Sequence, residues 1–169
     1  MVLESVFSPG LVKMNLESLD KDEAFEELVD LFVSRNPSAS REKLLSVLHA
    51  REAKLSTGIK QGFALPHAQT DQVSSVQGVI GISRSGVDYD ALDGNPVHVI
   101  FVLFCSADSC TFHLRALKKL SLLLDESDFL ADILSQTNAE SVLRVLSRKR
   151  AEGFVQIRGK TGSAKLFFG

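Results

Sequence analysis

The first third of the chain places apolar residues at helical spacing. Within residues 20–33 they line one face and acidic residues the other, and Asp20 with Glu23 forms a capping-box pattern at the start. A second helix is predicted to begin after Ser40, a common N-cap residue, and to carry Arg51 near its end. The predicted apolar positions are Ala24, Leu28, Leu31 and Phe32 in the first helix and Leu44, Leu45, Val47 and Leu48 in the second.

The apolar segments in the middle of the chain favour strands. "GFALPH", residues 62–67, is a short strand that runs into a turn constrained by proline. Residues 76–83 and 97–104 are stronger candidates because they are rich in β-branched and aromatic residues. The segment 97–104 is apolar almost throughout, which is typical of a central strand buried on both faces. A turn-rich loop, residues 84–96, separates the two long strands.

Three more helical patterns follow, near residues 111–124, 128–135 and 139–148. The apolar stripe predicted for the first of them is Leu114, Leu117, Leu120 and Leu124. Taken together, the elements predict the α/β fold class, in which a small mixed β-sheet is flanked by helices on both faces.

The charged segment "SRKRAEG", residues 147–153, predicts a boundary near the C-terminal end. We expect one domain over residues 1–150 and a C-terminal extension over residues 151–169, either a hairpin or a flexible tail. "GKT", residues 159–161, is not a phosphate-binding loop, because Phe154 occupies the position where that motif needs a glycine.

Composition narrows the functional classes. The 169 residues are 44% hydrophobic and 24% charged, as in ordinary soluble globular proteins, and the net charge of −2 argues against a broad nucleic-acid-binding surface. No apolar run spans a bilayer, and the N-terminus lacks the features of a signal peptide. Two cysteines exclude a disulfide scaffold and favour a reducing cytoplasm. Cys105, Cys110 and His113 make a poor metal set without a second ligand pair, so we expect no metal.

One histidine stands in a special setting. His67 follows Pro66, which fixes its own φ and pushes Leu65 into an extended conformation. The imidazole is therefore expected on a stiff backbone at a strand end, where α/β sheets commonly place ligand sites. A turn histidine that caps a neighbouring carbonyl explains the stretch equally well.

Two further residues could meet an anion. His113 lies in the first turn of a predicted helix, where free N–H groups and the helix dipole favour negative charge. Taken alone, a water-exposed helix-terminal histidine is the simpler interpretation. Arg51 could direct a guanidinium fork at an oxyanion or merely complement a helix dipole.

The order of these segments resembles one known family. "ARE", "STGI" and "GFALPHA" are followed by "GVDYDALDGNPVHVIFVLF" and "HLRALKKLSLLL". This order resembles the enzyme IIA domain of the phosphoenolpyruvate-dependent phosphotransferase system, mannitol/fructose type (type 2). The nitrogen-regulatory enzyme IIA proteins are the most similar subgroup. The resemblance runs from about residue 7 to about residue 149.

The resemblance implies a cytoplasmic phosphohistidine carrier with the mannitol/fructose-type enzyme IIA fold and no cofactor. The donor in this family is the phosphocarrier protein HPr or its nitrogen-branch counterpart, and the acceptor is an enzyme IIB or a regulated target protein. His67 in the "PH" pair matches the histidine that accepts the phosphoryl group, and His113 matches the second active-site histidine. Arg51 matches the arginine beside the phosphoryl group, and Thr57 matches a residue that lines the same site.

The chain departs from the family pattern in two places. Phe63 and Leu65 replace smaller or β-branched residues, and "FCSADSCTFH" lacks the usual proline before the second histidine.

We expect one nitrogen of His67 to attack while the other holds the proton, which requires a hydrogen-bond acceptor on that side.

Three roles remain open on the sequence alone. A regulatory enzyme IIA is favoured because no membrane or IIB module accompanies the matched region. A sugar-transport enzyme IIA that serves a fructose- or mannitol-type IIB is the second. A binding module that no longer transfers phosphate is the third.

Overall fold

The computed structural model describes residues 2–147, 154–159 and 162–167. The helices are α1 Lys21–Arg35, α2 Arg41–Glu52, α3 Cys110–Leu124, α4 Phe129–Leu134 and α5 Ala139–Leu146. The strands are β1 Val12–Lys13, β2 Gly58–Lys60, β3 Phe63–Ala64, β4 His67–Gln69, β5 Gln77–Val87, β6 Val97–Cys105, β7 Phe154–Gly159 and β8 Gly162–Phe167. Short 3₁₀ turns occupy Leu3–Ser5, Pro9–Leu11 and Ala107–Ser109.

Strand β6 lies at the centre of a six-stranded mixed sheet. It pairs antiparallel with β5 and parallel with both β3 and β4, while β1 and β2 extend the two sides in the order β1-β5-β6-β3-β2. Every residue of β6 except His98 is buried. The prediction of a central strand over residues 97–104 is therefore confirmed.

The two faces of the sheet carry separate hydrophobic cores. Alternate residues of β6 point to opposite faces. Helices α3, α4 and α5 pack on one face, with Phe129 stacked on Phe63 at a ring distance of 5.6 Å. Helices α1 and α2 pack on the other, where the rings of Phe32 and Phe104 lie 5.1 Å apart. This confirms an α/β fold with helices on both faces of a mixed sheet.

The helix starts agree with the predicted capping residues. The Asp20 carboxylate accepts a hydrogen bond from the Glu23 N–H at 2.9 Å, and the Ser40 hydroxyl accepts one from the Lys43 N–H at 3.3 Å. None of the helices in the described ranges is long and apolar enough to cross a membrane.

The predicted apolar stripe of α3 is wrong at its first position. Leu114 is 66% exposed, and the buried positions are His113, Ala116, Leu120, Leu123 and Leu124. The buried stripe is thus shifted by one residue at the start of the helix. The core-facing position there is occupied by His113. Because histidine is polar, the apolar pattern does not predict this position.

Strand β5 continues into the segment that was predicted to be a loop. It runs to Val87, and its pairing with β6 shifts register between Ile82 and Val87. Gly86 lies within the shift at φ 90°, a conformation that glycine adopts without strain. A bulge therefore explains how a strand passes through a turn-like sequence.

The described parts of the C-terminal extension form an antiparallel pair, β7 and β8. Most of the predicted boundary segment, residues 147–153, and most of the "GKT" segment lie outside the described residues. The division of the chain at residue 150 stays a prediction.

Candidate functional site

His67 begins strand β4, next to the central strand of the sheet. It pairs with Leu103 of β6, and the carbonyl of Pro66 accepts a hydrogen bond from the Leu103 N–H at 3.0 Å. The proline fixes its own φ, so the chain enters β4 on a constrained path. The His67 side chain is half-buried, which leaves part of the ring accessible.

A hydrogen bond determines which nitrogen of neutral His67 carries the proton. Its Nδ1 lies 2.7 Å from the carbonyl oxygen of Leu65. A carbonyl oxygen can only accept, so Nδ1 carries the hydrogen and Nε2 keeps the lone pair. The required acceptor is therefore present, and the nucleophilic nitrogen of the neutral ring is Nε2.

His113 lies beside His67, on the first turn of α3. The two ring centroids are 5.5 Å apart with an interplanar angle of 61°, an edge-on arrangement. His113 is only 9% exposed, so the interpretation as a water-exposed terminal histidine is wrong. Within the described ranges its Nε2 is buried without a hydrogen-bond partner. A buried polar atom of this kind is costly unless a ligand or solvent can satisfy it.

The segment before His113, which lacks the proline usual in the family it resembles, is held by serine side chains. The backbone N–H of Ser106 donates to the Ser109 hydroxyl at 3.0 Å, and the two hydroxyls lie 3.0 Å apart. The Ser109 N–H in turn donates to the Ser106 hydroxyl, which completes a capping box on a 3₁₀ turn, and α3 continues from this turn at Cys110. The unusual approach therefore still brings His113 to His67.

Burial lowers the pKa of His113 below its ordinary value of 6.5, and the nearby His67 adds to the shift. The neutral imidazole is consequently favoured in the folded protein. In the unfolded chain the same group binds a proton below about pH 6.5. The difference in proton binding makes the stability of the fold depend on pH.

We expect His113 to make the free energy of unfolding fall as the pH drops below about 6.5, because the unfolded state then binds more protons. Urea unfolding at about pH 7.5 and about pH 5.5 measures the fall. His113→Gln should show a smaller fall than the wild type. An equal fall in both proteins would contradict the prediction.

Arg51 lies in the last turn of α2. Its Nη1 donates to the carbonyl of Leu55 at 3.0 Å, so the guanidinium is held against the loop that joins α2 to β2. The same loop leads to Thr57, whose carbonyl accepts a hydrogen bond from the Leu65 N–H at 3.0 Å. Arg51 and His67 are thus attached to one hydrogen-bonded loop.

Thr57 is 3% exposed and directs its hydroxyl inward. Its N–H and its hydroxyl both donate to the carboxylate of Glu52, at 2.9 and 2.7 Å. Because that hydroxyl hydrogen is used, the Tyr89 hydroxyl, 2.8 Å away, is the donor to Thr57 Oγ. The contact of Thr57 with a phosphoryl group stays a prediction.

Two residues of this arrangement received no role from the sequence. Glu52 is 8% exposed and also pairs with Lys21, whose Nζ lies 3.3 Å from its carboxylate. Tyr89 is fully buried. Its burial is the main cause that raises the pKa of the phenol, and the negative charge of Glu52 adds to the effect. The available signals were a glutamate beside Arg51 in "ARE" and the single tyrosine of the chain.

Comparison with known proteins identifies the family. The family model described as "Phosphoenolpyruvate-dependent sugar phosphotransferase system, EIIA 2" matches residues 5–149. The chain belongs to this EIIA family. The resemblance of its motif order to mannitol/fructose-type enzyme IIA proteins is therefore confirmed.

Individual relatives of this EIIA protein carry two kinds of name. The fructose-specific EIIABC component of the phosphotransferase system from Bacillus subtilis is 29% identical over 148 residues, which cover 88% of this chain. The nitrogen regulatory protein of Pseudomonas aeruginosa is 29% identical over 144 residues, or 85% of this chain. The match spans 23% of the length of the first relative and 94% of the second.

Solved structures support the fold of this EIIA protein. The crystal structure of nitrogen regulatory protein IIA-Ntr from Neisseria meningitidis aligns with a TM-score of 0.81 at 29% identity. The alignment covers 87% of this chain and 100% of the Neisseria chain.

Proposed function

We propose that this EIIA protein is a cytoplasmic phosphohistidine carrier that accepts a phosphoryl group on Nε2 of His67. The observation that carries the proposal is the hydrogen bond from His67 Nδ1–H to the Leu65 carbonyl. It holds the neutral ring with the lone pair on Nε2, as a nucleophile in phosphoryl transfer requires. The donor is an HPr-like phosphocarrier protein.

The transfer step exchanges one P–N bond for another. His67 Nε2 attacks the phosphorus atom in line, the P–N bond of the donor histidine breaks, and its electron pair returns to the donor ring. The proton on His67 Nδ1 stays in its hydrogen bond to Leu65. Such a step depends mainly on positioning and on stabilisation of charge, so it needs neither a metal nor a nucleotide.

His113 and Arg51 are the proposed groups that stabilise the phosphoryl oxygens. The buried Nε2 of His113 lacks a partner within the described ranges, and its ring lies 5.5 Å from that of His67. A phosphoryl group on His67 would supply the missing hydrogen-bond partner of this ring, and its negative charge opposes the effect of burial on the pKa of His113. Arg51 supplies further N–H donors.

A regulatory role is favoured over sugar transport. The nitrogen regulatory IIA protein of Neisseria meningitidis shares the fold with a TM-score of 0.81 at 29% identity, which supports this preference. In this role the phosphorylation state of His67 controls a target protein. The fructose-specific relatives favour the alternative, in which the group passes on to a fructose-type enzyme IIB.

Incubation with enzyme I, HPr and radiolabelled phosphoenolpyruvate tests the proposal. We expect one acid-labile phosphoryl group per chain, mapped to His67 by mass spectrometry. No label, under conditions in which HPr is phosphorylated and labels another enzyme IIA, would contradict the carrier function and favour a binding module. Rapid loss of the label to a purified fructose-type enzyme IIB would favour transport over regulation.

A further inference from the structure

A buried polar cluster lies between α1, the end of α2 and the loop after β5. It consists of Lys21, Glu52, Thr57 and Tyr89, and we call it the Glu52 cluster. The carboxylate of Glu52 accepts the N–H and the hydroxyl of Thr57 and pairs with Lys21, while the hydroxyls of Thr57 and Tyr89 lie 2.8 Å apart. The Nζ of Lys21 also lies 5.0 Å from the centre of the Tyr89 ring.

The Glu52 cluster connects to His67 through two backbone hydrogen bonds. The carbonyl of Thr57 accepts the N–H of Leu65 at 3.0 Å, and the carbonyl of Leu65 accepts Nδ1–H of His67 at 2.7 Å. The position of the Leu65 carbonyl decides whether His67 keeps its proton on Nδ1. That position is therefore set partly by Thr57 and by the carboxylate that holds Thr57.

The cluster is expensive to bury, and this argues against a passive part in the core. The buried carboxylate of Glu52 loses its hydration while its partner Lys21 is only partly buried, and apolar residues of similar volume often stabilise a fold equally well. The hydrogen bonds of Glu52 fix the backbone N–H and the hydroxyl of Thr57 in defined positions. Directional hydrogen bonds of this kind restrict the conformation of a neighbouring loop more strongly than apolar contacts do.

We propose that Glu52 and Tyr89 are positioning residues that, through Thr57 and Leu65, hold His67 in its Nδ1-protonated form. Neither side chain reaches the reacting nitrogen itself. The consequence for phosphoryl transfer rests on the function proposed above, whereas the effect on the proton of His67 does not. The two can therefore be measured separately.

Thr57→Val is the main variant for the test, because valine keeps the shape of threonine and removes the hydroxyl. Nitrogen-15 NMR of the unphosphorylated protein should show a larger fraction of neutral His67 with its proton on Nε2. The rate at saturating phosphorylated HPr should fall about tenfold to a hundredfold, since small misplacements of a reacting group have effects of this size. The HPr concentration for half-maximal rate should not change. Thr57→Ser should restore both readouts.

Glu27→Gln is a matched control for Glu52→Gln. In the wild type the carboxylate of Glu27 accepts hydrogen bonds from the N–H groups of Glu17 and Ser18 and from the hydroxyl of Ser18. The Nζ of Lys13 lies 3.8 Å from this carboxylate. Both variants lose the charge of a carboxylate that holds a loop, and only Glu52 lies on the path to His67. Glu52→Gln and Tyr89→Phe should shift the proton of His67, and Glu27→Gln should leave it unchanged.

Three results would overturn the proposal. They are an unchanged proton position in folded Thr57→Val, an equal shift in Glu27→Gln, and slower transfer without any shift in the proton. If Glu52→Gln does not fold, Tyr89→Phe and Thr57→Val still decide, and an unchanged proton position in both would overturn the proposal. If the wild type takes up no phosphoryl group but Thr57→Val shifts the proton, the positioning holds and the carrier function fails.

Discussion

His67→Ala is expected to lower phosphoryl uptake from phosphorylated HPr by at least about three orders of magnitude, as removal of a catalytic nucleophile usually does. The variant removes the Nε2 lone pair. In the wild type this lone pair is free because the proton is on Nδ1, in the hydrogen bond to the Leu65 carbonyl. The ring of His113 lies nearby but is only 9% exposed, so a donor protein cannot bring its phosphoryl group to this ring as it can to the half-buried ring of His67. Single-turnover labelling with a large excess of donor measures the loss.

His98→Ala is the control for this prediction. His98 is also a partly buried histidine, and its Nδ1 contacts a backbone carbonyl, that of Ser83, at 2.9 Å. The control should take up label at the wild-type rate, which separates the loss of the nucleophile from the loss of any histidine. Full labelling of His67→Ala would contradict the assignment and transfer the role to another residue.

The sequence reveals the position of His67 because the cause is local. A proline constrains the residues next to it, so "LPH" predicts a stiff backbone without any knowledge of the fold. The proton on Nδ1 could not be predicted in the same way. It depends on where the Leu65 carbonyl points, and Thr57, eight residues earlier in the chain, helps to set that direction.

The short strands of the sheet were missed for a related reason. Strands β1, β2 and β4 have two or three residues each, too few to show a periodic pattern. Their conformation comes from pairing with neighbours, as when residues 67–69 pair with β6. The long strand β6 was predictable because nine consecutive residues carry the signal themselves.

His113 and Glu52 show where residue type misleads. Each lies on the buried side of a helix, where polarity argues for exposure. Their burial becomes intelligible only with the partners present: His67 next to one, and Lys21 and Thr57 next to the other. His67 and Lys21 are distant in sequence from the residues they accompany, so single-chain patterns do not predict these contacts.

Arg51→Ala is expected to slow phosphoryl transfer to His67 by about one to three orders of magnitude, the usual effect of removing a donor that stabilises transferred charge. The guanidinium has five N–H donors, and its hydrogen bond to Leu55 uses one of them. In the proposed site the remaining donors stabilise the phosphoryl oxygens while that bond holds the group in place. Rapid-quench measurement at saturating phosphorylated HPr gives the rate of the transfer step.

Arg51→Lys separates charge from geometry in the same measurement. Lysine keeps the positive charge, but its single ammonium cannot bind Leu55 and present a planar fork to the phosphoryl oxygens at once. We therefore expect a rate between those of the wild type and Arg51→Ala. Arg41→Ala is the control, because Arg41 lies at the other end of α2 and pairs with Asp30. A wild-type rate in Arg51→Ala would remove this arginine from the site, and a wild-type rate in Arg51→Lys alone would show that charge suffices.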